Sequence, residues 1–178
     1  MKTYIALFRG INVGGNSILP MKELKALLEK LDLRNIKTYI QSGNAVFRSN
    51  ENNSSRLSTK IRAAVKKSRG FEPHVLLLEL GGIEKAIASN PFPEAEAEPN
   101  TLHLNFLAFA PAHPDLKALE RLKKESERFK LKGGVFYLYA PDGIGRSKLA
   151  ANVERALGVP VTGRNWRTVN KIMEMAKE

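Results

Sequence analysis

The strongest constraint on this chain is how its apolar residues are spaced. Short runs of strand length alternate with stretches in which apolar residues recur every three or four positions. Tyr4 to Phe8 is strand-like, and a loop follows from Arg9 to Leu19. Pro20 then stands where a first helical residue belongs, and Met21, Leu24, Leu27, Leu28 and Leu31 recur at helical spacing. Ile36 to Ile40 and Ala45 to Phe47 predict two short strands joined at Gln41-Ser42-Gly43-Asn44. After a polar stretch from Ser49 to Ser55, Leu57, Ile61, Ala64 and Val65 mark the inner face of a helix, and Val75 to Leu80 predict a buried strand. The order is strand, helix, strand, strand, helix, strand, which is the split βαβ plan of a ferredoxin-like unit.

Gly81 and Gly82 open a short helix that stops before Pro91. Pro91 to Asn100 carries Pro91, Pro93 and Pro99 with alternating Glu94, Glu96 and Glu98, and predicts an exposed linker. The expected organisation is a half over residues 1–90, a linker over 91–100 and a second half over 101–178. In the second half, Leu102 to Phe109 predicts a strand, and Leu116, Leu119 and Leu122 a helix. Strands near Arg128 to Leu131 and Val135 to Ala140 meet at Gly133-Gly134. A helix through Leu149, Val153, Ala156 and Leu157 ends at Gly158, and a last helix carries Trp166, Val169, Ile172, Met173 and Ala176. The fold class is therefore α+β, with two βαββα-type halves packed together. The shared order suggests an imperfect duplication, although no residue-level repeat is visible.

A chain of 178 residues buries enough surface for a self-sufficient core. It has no cysteine, which excludes disulfides, thiolate metal sites and thiol nucleophiles. The apolar start is too short for a signal peptide, and no run reaches the roughly 18 residues of a membrane span. A cytoplasmic protein without a membrane partner is the expectation. The net charge of +11 favours anionic partners, although it also serves solubility.

Four polar segments concentrate glycine with cations or amides. Arg9-Gly10-Ile11-Asn12-Val13-Gly14-Gly15-Asn16 follows the first strand and precedes a helix, so its backbone N–H groups can converge on an anion. Its spacing is neither a dinucleotide fingerprint nor a P-loop, and a plain connecting turn is the competing reading. Gln41, Ser42 and Asn44 form the second segment, where ordinary hairpin chemistry competes. The third is Pro141-Asp142-Gly143-Ile144-Gly145-Arg146-Ser147-Lys148. Cations at a helix start oppose its dipole, so Arg146 and Lys148 make most sense with an anion beside Gly145 and Ser147. Ser147 is alternatively a helix cap. The fourth holds Arg164, Asn165 and Arg167 around Trp166, whose own role is core packing.

The predicted helix at residues 56–69 adds a basic face of Arg56, Lys60, Arg62, Lys66, Lys67 and Arg69 with no acid among them. Such a face is either solvated or a polyanion-capturing surface.

Catalytic signals are sparse. His74, His103 and His113 are scattered without metal-ligand spacing, and His103 is expected at a surface or interface. No metal or cofactor is expected. Asp142 is the one acid inside a glycine-basic cluster, a weak candidate base whose competing role is closing a turn. Lys132 to Tyr139 partly echoes an RNA-recognition octapeptide, but Gly134 replaces a stacking aromatic and argues against it.

Four stretches together resemble the signature segments of the bacterial family called domain of unknown function 1697. They are Leu7 to Gly15, Thr38 to Phe47, Pro141 to Lys148 and Arg164 to Val169. Phe8 and Ala45 stand where Leu and Val would be expected. The resemblance runs from Tyr4 to about Met175 and implies two α+β halves, the first ferredoxin-like. It implies no catalytic residues. The residues themselves favour binding of a phosphate-bearing ligand, nucleic acid before nucleotide, in a basic cleft between the halves. An enzyme acting on a small phosphorylated or nucleotide substrate and a protein-interaction module are the alternatives.

Overall fold

The computed structural model describes residues 1–178. The chain divides into two compact units, one of Met1–Glu84 with Lys171–Glu178 and one of Lys85–Asn170. The first contains β1 (Lys2–Arg9), α1 (Met21–Glu29), β2 (Arg34–Tyr39), β3 (Asn44–Ser49), α2 (Ser54–Arg69) and β4 (His74–Glu79). Its strands form one antiparallel sheet in the order β2-β3-β1-β4. The chain leaves β1 through α1 and returns at β2, past the place β3 fills. It leaves β3 through α2 and returns at β4, past β1. This is the ferredoxin-like topology that the order of apolar patterns implies.

Period-two alternation sorts β1 into two apolar faces. Tyr4, Ala6 and Phe8 join Ala45 and Phe47 of β3 against Leu24 and Leu28 of α1 and Leu57, Ile61 and Val65 of α2. Each Leu, Ile, Val or Phe side chain among them contributes about 1.5–3 kcal/mol when fully buried. Ile5 and Leu7, on the opposite face, are equally inaccessible to solvent. Asn53 caps α2 by accepting from Arg56 N at 2.9 Å, and Gly70 ends the helix in the left-handed conformation.

Next comes α3 (Leu80–Ala88), then a 3-10 turn over Pro93–Ala97 that buries Phe92 and Ala95. The acidic, proline-rich stretch is thus anchored by two apolar side chains. The second unit continues with β5 (Leu102–Leu107), α4 (Leu116–Leu122), β6 (Arg128–Lys132), β7 (Val135–Tyr139), α5 (Lys148–Leu157) and β8 (Val161–Asn165). Its antiparallel sheet has the order β6-β7-β5-β8, so both units share one topology. Phe136, Leu138 and Ala140 pack on Leu119 of α4 and on Leu149, Val153 and Leu157 of α5. The chain ends with α6 (Trp166–Lys177). No helix is long and apolar enough to cross a membrane.

The apolar pattern predicts a βαββα second half with no strand between Gly158 and the last helix. The structure completes it with β8, which pairs with β5 from Leu107↔Val161 to His103↔Asn165. A short edge strand with a single buried residue, Thr162, shows no apolar alternation, so pattern reading cannot find it. Gly163 belongs to packing between strands. A Cβ there would stand 2.6 Å from Asn105 Oδ1.

Candidate functional site

In the first unit, two of the polar segments meet at one end of the sheet, where β1 ends and β3 begins. Asn12 ties them together. Its Nδ2 donates to Leu19 O and to Gln41 O, both at 2.9 Å, and its Oδ1 accepts from Leu19 N at 2.8 Å. Gly43 makes the close approach possible. Its carbonyl accepts from Phe8 N at 2.8 Å, its φ is 90°, and a Cβ there would lie 2.5 Å from Ile11 Cδ1. Asn44 is buried, and its Nδ2 donates to Tyr39 O at 2.9 Å and to Ser42 Oγ at 3.2 Å. The amides of Asn12 and Asn44 therefore hold the loops in shape. Gly10, Gly14, Gly15, Gln41 and Ser42 are exposed, and Arg9 at the end of β1 is half-buried.

In the second unit, the third segment is tied to the turn before β6. Ser147 caps α5 by accepting from Ala150 N at 3.0 Å, and its hydroxyl donates to Glu127 Oε2 at 2.5 Å. Glu127 is only 1% exposed, and its other oxygen accepts from Lys124 N at 2.8 Å. Ser126 Oγ donates to Asp142 Oδ2 at 2.6 Å, a second tie. Asp142 thus clamps the loop. Gly145, Arg146 and Lys148 remain exposed around the amino end of α5, and neither cation forms an ion pair. Glu127 is absent from the sequence-predicted set because the run Lys123 to Arg128 reads as solvated charge. Only its tertiary partner Ser147 marks it out.

The fourth segment lies at the same end of that sheet. Register sets Tyr139, the last residue of β7, and Asn165, the last of β8, on either side of Leu102 and His103 at the start of β5. Asn165 Oδ1 accepts from Thr168 N at 2.9 Å and caps the first turn of α6. Arg164 Nη1 donates to Gly163 O at 2.9 Å, and burial pushes its pKa down to about 10. Arg167 is exposed, and Trp166 is buried as core. His103 is more enclosed than a polar strand position suggests. Its Nε2 is buried without a partner, and desolvation pushes its pKa down against a hydrogen bond with the Asn100 backbone.

The basic face of α2 is corrected by its neighbours. Arg56 and Lys60 each lie 3.7 Å from Glu51. Arg62 and Lys66 reach Glu72 at 2.7 and 3.9 Å, and Arg69 reaches Glu23 at 2.8 Å. Only Lys67 of the six lacks a carboxylate. The helix holds no acid, but the loops and α1 bring three to it. Surface pairs like these add about 0–1 kcal/mol of stability each, yet they dilute the field of the face. No group of three or more His, Asp or Glu side chains is placed to hold a metal ion.

These features define an α+β protein of two ferredoxin-like units whose polar loops gather at the sheet ends. The chain belongs to the family described as protein of unknown function (DUF1697), whose model matches residues 1–137. It is also similar to the solved structure of a conserved bacterial protein from Streptococcus pneumoniae, with 28% identity and a TM-score of 0.69. That likeness covers 100% of this chain and 99% of the other, so it includes the third and fourth segments beyond the family match. No curated protein matches the chain.

Proposed function

We propose that the protein binds a small phosphate-bearing ligand, such as a nucleotide, at the amino end of α5. One observation carries this reading: Arg146 and Lys148 flank a helix start, exposed, and neither forms an ion pair. Two cations there oppose the helix dipole at about 0.3–1 kcal/mol each, and a phosphate between them reverses the sign of both interactions. Ser147, pinned by buried Glu127, fixes the loop before a ligand arrives. Exposed Gly145 leaves room for a backbone approach, and Arg167 lies at the same end of the sheet.

The pairing of α2 with Glu51, Glu72 and Glu23 weighs against a long polyanion, because the extended cationic track that nucleic acid needs is largely answered. Titration with nucleoside triphosphates, pyrophosphate and oligonucleotides of increasing length at low salt tests the reading. The expected result is saturable binding that does not grow with oligomer length and weakens about tenfold or more in R146Q/K148Q. Affinity rising with length would favour nucleic acid. Absence of binding at low salt, or binding indifferent to the double substitution, would remove the proposal.

A further inference from the structure

The polar segments do not account for a second concentration of charge, on β2 and β3 of the first unit. Arg34 of β2 and Arg48 of β3 are direct cross-strand partners, so their side chains leave the same face of the sheet. Like charges in that position repel, and native sheets usually set an acid opposite a base. Here both arginines are exposed and neither forms an ion pair. Thr3 of β1 faces Arg48 in register on the other side, adding a hydroxyl to the same face.

A groove of about 500 Å³ opens beside this pair, lined by Thr3, Asn35, Lys37 and Arg48 on the sheet and by Met175 to Glu178 opposite. This size suits a small ligand. Strand β2 is irregular here: register shifts between Arg34 and Lys37, and Asn35 takes a left-handed φ of 52°. Bulges re-aim side chains in this way beside functional sites. Lys37 is already engaged by an anion, since its Nζ donates to Glu178 Oε2 at 2.7 Å. A carboxylate from the chain itself thus occupies one side of the groove, while Arg48 in its wall, with Arg34 beside it on the neighbouring strand, forms no ion pair.

We propose that this groove is a phosphate-dianion site. Arg34 and Arg48 grip the phosphate oxygens, Thr3 and Asn35 donate to it, and Lys37 joins as the ligand displaces the Glu178 carboxylate. Two guanidinium groups call for an acceptor with several oxygens and more than one negative charge, which a phosphate supplies and a single carboxylate does not. The site is separate from the amino end of α5 and stands whether or not that loop binds anything.

The test uses the full chain carrying R146Q/K148Q, which silences the α5 loop, and reads phosphate binding by calorimetry and by amide shifts of β2 and β3. Inorganic phosphate and phosphoserine are compared at matched ionic strength. Tighter binding of phosphoserine assigns the groove to an ester, and tighter binding of inorganic phosphate assigns it to the free ion. Adding R34Q/R48Q should weaken binding at least tenfold. In phosphate-free buffer the same change should raise the melting temperature, because the repelling pair is gone, and should abolish the rise that phosphate gives the parent. E178Q should strengthen binding severalfold by freeing Lys37. Unchanged affinity in R34Q/R48Q, or no gain in E178Q, would overturn the proposal.

Discussion

Gly43 shows how much one backbone position carries. Its φ of 90° disfavours any side chain, and a methyl group there would meet Ile11 Cδ1 at 2.5 Å and Phe8 Cβ at 2.7 Å. Left-handed strain costs about 1–2 kcal/mol and overpacking about 1–3 kcal/mol. Gly43→Ala is therefore expected to destabilise the protein by about 2–4 kcal/mol in urea unfolding. Exposed Gly14, with open space around it, should show only the strain component after the same change. A loss at Gly43 no larger than at Gly14 would refute this account. The residue types in these loops announce turns from the sequence alone. Which glycine is indispensable does not show, because the atoms it must clear belong to Phe8 and Ile11 across the loop.

Among the elements, the helix caps separate local from tertiary effects. Asn53 and Ser147 are both ordinary N-cap residues in sequence, each accepting from the N–H three positions on. Ser147 alone also donates to a buried carboxylate. Asn53→Ala should cost about 0.5–2 kcal/mol. Ser147→Ala should cost that and roughly 1.5–3 kcal/mol more, because Glu127 loses a charge-assisted partner while remaining buried. Equal losses in the two variants, measured by chemical denaturation, would show that the Glu127 bond adds nothing. The same distinction explains what the sequence conceals about α2 and β8. The cations of α2 look unanswered because helical spacing relates residues within the helix, whereas Glu51, Glu72 and Glu23 arrive through loops and another helix. Strand β8 is hidden because an edge strand needs a pairing partner more than an apolar face.

Across the fold, Tyr137 and His103 make opposite contributions to the dependence of stability on pH. Burial raises the Tyr137 pKa to about 12, while its hydroxyl donates to Ala86 O at 2.6 Å. Below about pH 10 the phenol is protonated in both folded and unfolded chains. Above that the unfolded chain loses the proton first, so stability falls until the pH passes the folded value. Tyr137→Phe should remove most of this alkaline fall, at a loss of about 1 kcal/mol near neutrality. The desolvated His103 works in the opposite direction. Its folded pKa is depressed, so its contribution is complete above about pH 6.5 and is lost as the pH drops through the folded value. Unfolding free energies across pH 5 to 12 are the measurement, and an identical alkaline profile in the parent protein and in Tyr137→Phe would contradict the Tyr137 assignment.

The order of elements and the faces they bury are legible in the chain, because periodicities of two and of three to four are local properties. They suffice to predict two α+β halves and a ferredoxin-like first unit, and the glycine-rich turns between their elements. Which charges stand unanswered depends instead on packing between elements. Five of the six cations of α2 acquire carboxylates from outside the helix, while Arg146, Lys148, Arg34 and Arg48 do not. Charge pairing acts across space over a few ångströms, and only folding sets those distances.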